Sequence, residues 1–263
     1  MKTESAPADH ITVRDLTMAF GDYVVQQDLN FGIGQGDIFI IMGGSGCGKS
    51  TLLRHLIGLQ PPVHGQVFYR NVDFWAVSKE DRDRIMGRAG ILYQSGALWS
   101  SMTLAENVAL PLETYAGLDP ARVRDLVNLK LSLVGLAAYG DYYPSQISGG
   151  MRKRAGLARA MALDPEILFF DEPSAGLDPV SSRHLDDLIL EINASLGTTL
   201  ILVTHELASI FTIGTNGIFL DAERRTMIAA GSPQTMLKES GEAKVHEFLT
   251  RKGQAGFDLT AGA

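Results

Sequence analysis

The most specific chemistry in the chain sits in Gly43-Gly44-Ser45-Gly46-Cys47-Gly48-Lys49-Ser50-Thr51. These residues fit G-x-x-x-x-G-K-[ST]. They follow the apolar run DIFIIM (37–42) and precede a segment that reads as a helix from Lys49 to Leu59, the context the pattern requires. Glycines let the backbone wrap closely, so that successive N–H groups point at phosphate oxygens. The helix that follows adds the positive end of its dipole. Lys49 supplies a point charge for β- and γ-phosphates, and the Ser50 hydroxyl is available to Mg2+. The chemistry is that of a phosphate-binding loop.

Two further constellations belong with it. Ile167-Leu168-Phe169-Phe170-Asp171-Glu172 is an apolar strand from which two acids emerge. Ligands of open α/β sheets bind at that C-terminal end. There Asp171 is expected to hold Mg2+ and Glu172 to polarise an attacking water. Ile147-Ser148-Gly149-Gly150-Met151 runs into the helix AGLARAMAL, with Ser148 a natural N-cap and two glycines exposing amides. It is a second anion-binding helix start, with no phosphate of its own to bind. A two-fold dimer would close each chain's second site over the other chain's nucleotide. Arg152, Lys153 and Arg154 read as a solvated basic face.

The elements that must position these residues alternate. ITVRDLTMAF and YVVQQDLNFGI read as strands around a Gly21-Asp22 turn, and GQVFYR as another strand. AGILYQ, EILFFD and TTLILVTH are apolar strands, with the helices EDRDRIMGR and VSSRHLDDLILEINASL among them. GIFLD and RTMIAAG read as a hairpin, followed by two short helices and a polar tail. This is an α/β pattern with a parallel sheet covered on both faces. The mostly helical block from Thr103 to Ala162 reads as an insertion.

Composition bounds the reading. Of 263 residues, 45% are hydrophobic and 20% charged, so a substantial core is expected. A net charge of −7 argues against a general nucleic-acid binder. Cys47 is the single cysteine, which excludes an intramolecular disulfide and fits a reducing compartment. MKTESAPADH has no apolar core and is not expected to be a signal peptide. No apolar run approaches the ~18 residues of a spanning helix, so work at a membrane requires a partner. His55 and His64 read as local polar contacts, and the methionines as packing. The Cys47 thiol is expected to face the nucleotide and to be protected from thiol reagents by ATP.

GGSGCGKST, Gln94, ISGGM, ILFFDEP, SAGLD and LVTHE, in that order, resemble the ATP-binding-cassette (ABC) ATPases over residues ~10–240. The resemblance implies a P-loop NTPase (RecA-like) core with an antiparallel β-subdomain and an inserted α-helical subdomain. The domain would span 10–250, the helical part about 96–162, and a tail 251–263. It implies ATP and Mg2+ sandwiched between two copies of the chain. Phe20 matches the aromatic that stacks on adenine, with Tyr23 as a stand-in. Gln94 matches the glutamine that reaches Mg2+ and the water. Asp178 matches an aspartate that crosses the dimer interface, and His205 a histidine that contacts the γ-phosphate. Two departures stand out. Met151 replaces the glutamine of the usual LSGGQ, and Gly44 stands where many relatives carry proline. Neither removes a phosphate ligand.

The stretch YQSGALWSSMTLAENVALPL (93–112) holds one charge, Glu106. Leu98 and Trp99 either wall a groove for a partner helix or pack two subdomains together. Together with SGGM and FDEPSAGLDP, the stretch is similar to the ATPases of MCE-type lipid transporters, the Mla phospholipid system among them. That likeness implies a peripheral protein on the cytoplasmic face of a bacterial inner membrane, powering phospholipid traffic between inner and outer membranes. The implied partners are a multi-spanning permease, a periplasmic MCE-domain protein and, in some systems, a STAS-domain protein. The other readings are the ATPase of a polar amino-acid importer and a soluble ABC ATPase acting on DNA or the ribosome. The final segment either crosses to the second copy or frays.

Overall fold

Three strands leave almost nothing for solvent to touch. Ile38–Gly43 (β3) and Thr199–Val203 (β8) are buried throughout, and Ile167–Asp171 (β7) is buried up to its last residue. Strands apolar on both faces need a layer on each side, as in parallel sheets. The computed structural model describes residues 9–250 and supplies both layers. The tail at 251–263 lies outside the described residues.

In chain order the elements begin with β1 (Asp9–Phe20), β2 (Tyr23–Gly34), β3, α1 (Lys49–Leu56), β4 (His64–Tyr69), β5 (Val72–Asp73), α2 (Lys79–Met86) and β6 (Ala89–Leu92). The helical block contributes α3 (Leu104–Tyr115), α4 (Pro120–Leu133) and α5 (Gly149–Ala160). Then come β7, α6 (Pro179–Leu196), β8, α7 (Leu207–Ile213), β9 (Asn216–Asp221), β10 (Thr226–Ala230), α8 (Pro233–Glu239) and α9 (Ala243–Leu249). The main sheet has the order β10-β9-β3-β8-β7-β6, parallel except for β10. A separate antiparallel sheet has the order β2-β1-β4-β5.

Strand alternation divides the core. Ile38, Ile40, Met42, Leu168, Phe170, Leu200 and Leu202 face a cluster built with the helical block. Phe39, Ile41, Phe169, Ile201 and Val203 face the antiparallel sheet and α1. Buried polar contacts join the layers. His10 Nδ1 meets Thr199 Oγ1 at 2.8 Å, and Tyr69 Oη donates to Leu56 O at 2.6 Å. Helix α1 stops at Leu56, short of the expected Leu59, and Gly58 turns the chain with φ +78°.

Register sets up the site. Val203 pairs with Ile41 on one side and Asp171 on the other. The segments that follow these residues therefore emerge together at the C-terminal edge of the sheet: the glycine loop, Glu172 and His205.

Candidate functional site

A cleft of 640 Å³ opens at that edge. Gly43, Gly44, Ser45, Gly46 and Gly48 line it, as do Lys49, Ser50 and Thr51. Phe20, Tyr23, Gln94, Glu172 and His205 also reach it. The loop is held from below by Gln26, whose buried amide donates to Cys47 O at 2.8 Å and to Asp221 O at 2.9 Å. Gly48, with φ +98°, precedes α1, and a Cβ there would sit 2.7 Å from Val25 Cγ1. No other residue fits that position without strain. Gly44 has open space around it, and a Cβ there would meet nothing within 4 Å.

Lys49 Nζ donates to the carbonyls of Gly43 and Gly44, each at 3.0 Å. Ser50 Oγ donates to Asp171 Oδ1 at 3.1 Å, joining the loop to the end of β7. Glu172 continues the ladder, its N–H donating to Val203 O, and then takes φ +49°. A left-handed conformation is uncommon for a residue with a Cβ and must be held by its surroundings. The Glu172 side chain is 16% exposed, and its Oε2 lies 2.7 Å from His205 Nδ1. Phe20 and Tyr23 are paired across the β1–β2 turn and about half exposed or more. Arg225 sits over the Tyr23 ring, 5.1 Å from its centroid.

Residues 147–151, the signature segment at the start of α5, stand apart from this cleft. Ser148 caps α5, its hydroxyl accepting from the Met151 N–H at 3.2 Å. Asp178 caps α6, accepting from Val180 N, Ser181 N and Ser181 Oγ. Those bonds, the Ser181 hydroxyl first, hold its carboxyl below the ordinary aspartate range. Ser148, Gly149, Gly150 and Asp178 do not line the cleft.

Two expectations are corrected. The Cys47 side chain is 1% exposed, packs in the core with Leu52 and Leu220, and does not line the cleft. Burial pushes its thiol above the ordinary range. A buried, protonated thiol is a poor target for alkylation, so the expected ATP-protected reactivity is withdrawn. The basic residues of α5 are a solvated face only in part. Arg152 is exposed, its Nη1 donating to Ile147 O, whereas Arg154 is half-buried with Nη1 donating to Val134 O, and Lys153 is buried.

Some site residues carry no signal in the sequence. Phe248 of α9 lines the cleft and packs edge-on against Phe219 at 5.2 Å. Asn107 is fully buried. It accepts from Trp99 N at 2.8 Å and donates to the carbonyls of Trp99, Met102 and Thr103. A polar residue eight positions past Trp99 thus shapes the loop. Within the loop, Leu98 packs on the core while Trp99 is 59% exposed. The packing reading therefore holds for Leu98 and not for Trp99.

The model of the family described as "ABC transporter" matches residues 26–175. The "Intermembrane phospholipid transport system ATP-binding protein MlaF" of Escherichia coli K12 is 35% identical over 94% of this chain and 90% of its own. The protein of the same name from Haemophilus influenzae is 37% identical over 93% and 91%. The "Probable ribonucleotide transport ATP-binding protein mkl" of Mycobacterium leprae is 40% identical over 91% of this chain. This chain spans about two thirds of that relative, 68%. Among solved structures, the dimeric post-hydrolysis cassette MJ0796 bound to ADP and Pi aligns with TM-score 0.76 and 27% identity, covering 84% of this chain and 98% of that one. CbiO1 from Clostridium perfringens aligns with TM-score 0.81 and 26% identity, covering 88% and 92%. With the glycine loop, the acidic strand end and the histidine converging on one cleft, the chain belongs to the ABC transporter family, and it is an ABC-type ATPase.

Proposed function

We propose that the chain powers phospholipid movement between the inner and outer membranes of a bacterium, seated peripherally on the cytoplasmic face of the inner membrane. The observation that carries the cargo is the reach of the likeness. The MlaF proteins match it over nine tenths of both chains. Among the described residues no helix is long and apolar enough to cross a membrane, so the reading requires a permease. An MCE-domain protein and a STAS-domain protein complete the proposed partner set.

In the proposed cycle, ATP lies with its phosphates on the amides of residues 43–51 and its adenine on Phe20, with Tyr23 alongside. Lys49 leaves the Gly43 and Gly44 carbonyls for the β- and γ-phosphates. Ser50 and Asp171 present two hard oxygen donors 3.1 Å apart, a set that suits Mg2+, and Gln94 is the third. Bound there, the ion would offset charge on the phosphate oxygens. Glu172 takes the proton of the attacking water. His205 orients Glu172 and contacts the γ-phosphate. Two copies close over two ATP molecules, with Ser148, Gly149 and Gly150 of one meeting the γ-phosphate held by the other and Asp178 at the seam. What supports the second copy is that these residues sit at exposed helix starts away from their own chain's cleft. The helical part, taken as 96–162, offers Trp99 to the permease on a loop braced by Asn107.

The likeness to the mkl proteins favours ribonucleotide cargo as a second reading. Affinity isolation of the chain from native membranes in mild detergent, with mass spectrometry of proteins and lipids, separates the two. The expected result is a permease, an MCE-domain protein and co-purifying phospholipid. A permease with a soluble binding protein and no lipid would keep the ATPase and reject the cargo.

A further inference from the structure

Helix α5 reaches more than its own subdomain. Lys153 and Gly156 are three residues apart, as are Gly156 and Arg159, so they share one helix face. Gly156 lets the helix approach the loop after Gln94 closely: a Cβ there would sit 2.8 Å from Gly96 O. Arg159 donates to Ala97 O in the same loop. About one turn before Gly156, Lys153 turns to a different segment. Its Nζ donates to Ala175 O at 2.8 Å and to Glu172 O at 3.3 Å.

Lys153 is only 6% exposed, and its amino group is spent on two neutral carbonyls. Taking an ammonium out of water for such partners is costly. An apolar side chain of the same length would fill the space without that cost. What the ammonium adds is a clamp across one tight turn. Glu172 O also accepts from Ala175 N at 3.2 Å, so Lys153 bonds the carbonyls at both ends of that turn. The turn begins at Glu172, whose φ of +49° needs external support, and leads through Ser174 and Leu177 to Asp178.

We propose that Lys153 is a positioning residue for hydrolysis: from the helix capped by Ser148, it fixes the backbone of Glu172 and the 174–178 segment, so that the signature helix and the acid beside His205 move as one piece. The inference rests on the proposed role of Glu172.

The test compares Lys153→Met, which keeps the aliphatic stem and removes the donors, with Lys153→Arg, which keeps a charged donor. Lys153→Met is expected to lower kcat on the order of 10- to 100-fold, as for a catalytic group misplaced by a fraction of an ångström, with affinity for a fluorescent ATP analogue changed by less than about twofold. Lys153→Arg is expected to recover most of kcat. Amide exchange at residues 174–178, followed by mass spectrometry, should be faster by about tenfold in the Met variant and near wild type in the Arg variant. Wild-type kcat in Lys153→Met would overturn the proposal. So would a fall in kcat matched by lost nucleotide binding with unchanged exchange at 174–178. If Lys153→Met does not fold, Lys153→Leu, which also lacks donors, replaces it in the same comparison. If Glu172→Gln keeps wild-type turnover, the role of Glu172 fails. The exchange measurement then decides by itself whether Lys153 holds the turn.

Discussion

Glu172→Gln lowers ATP turnover by about 10²- to 10⁴-fold, the range for losing a general base, while ATP binding persists. The substitution keeps the volume of the side chain, and with it the packing of a group only 16% exposed. It removes the ability to take a proton from water. Nothing in the phosphate cradle changes, because Lys49, Ser50 and the loop amides are held by other bonds. With binding intact and the chemical step slowed, the closed two-chain state should accumulate. Size-exclusion chromatography with light scattering, in ATP and Mg2+, is expected to show a dimer for Glu172→Gln and a return to monomer for the wild type after hydrolysis. Wild-type turnover in the variant would remove Glu172 from the role of base.

Lys49→Ala acts earlier. The ammonium of the buried Lys49 bridges the Gly43 and Gly44 carbonyls, neutral partners it can exchange for phosphate oxygens. A charge-assisted hydrogen bond contributes about 1.5–3 kcal/mol, so ATP affinity is expected to fall about 10- to 100-fold. Lost stabilisation of the developing negative charge lowers turnover further, by about 10²-fold or more. The variant should therefore form no ATP-induced dimer at concentrations where Glu172→Gln does. Equilibrium titration with a fluorescent ATP analogue separates the two: binding kept in Glu172→Gln and weakened in Lys49→Ala. Equal affinity in Lys49→Ala and wild type would show that the ammonium stays on the loop carbonyls.

The buried strands were legible because parallel sheets leave a simple trace, uninterrupted apolar runs such as DIFIIM and EILFFD. The glycine loop was legible because its chemistry fixes both residue types and spacing. What escaped depends on contacts that cross the sequence. Helix α7 has seven residues and no side-chain cap at Glu206, so neither periodicity nor a start signal marks it. Lys153 looks like its neighbours in Met-Arg-Lys-Arg, and only the turn at Glu172–Ala175, about twenty positions away, makes it a buried clamp. Cys47 occupies a variable position of the loop, and only the fold buries its side chain in the cluster that also holds Leu52 and Leu220. Phe248 comes to the cleft through α9, packed on Phe219 of the central sheet. The Leu98–Trp99 pair shows the limit of composition: both are apolar, and only the fold buries one and presents the other.

The most direct measurement is ATP-driven lipid movement by the membrane complex that co-purifies with this chain. The complex is reconstituted in vesicles with a fluorescent phospholipid, once with wild-type chain and once with Glu172→Gln. Phospholipid transfer that requires ATP and Mg2+ and vanishes with Glu172→Gln is the predicted result. ATP hydrolysis that proceeds without phospholipid transfer, while a ribonucleotide or an amino acid is carried across, would contradict it.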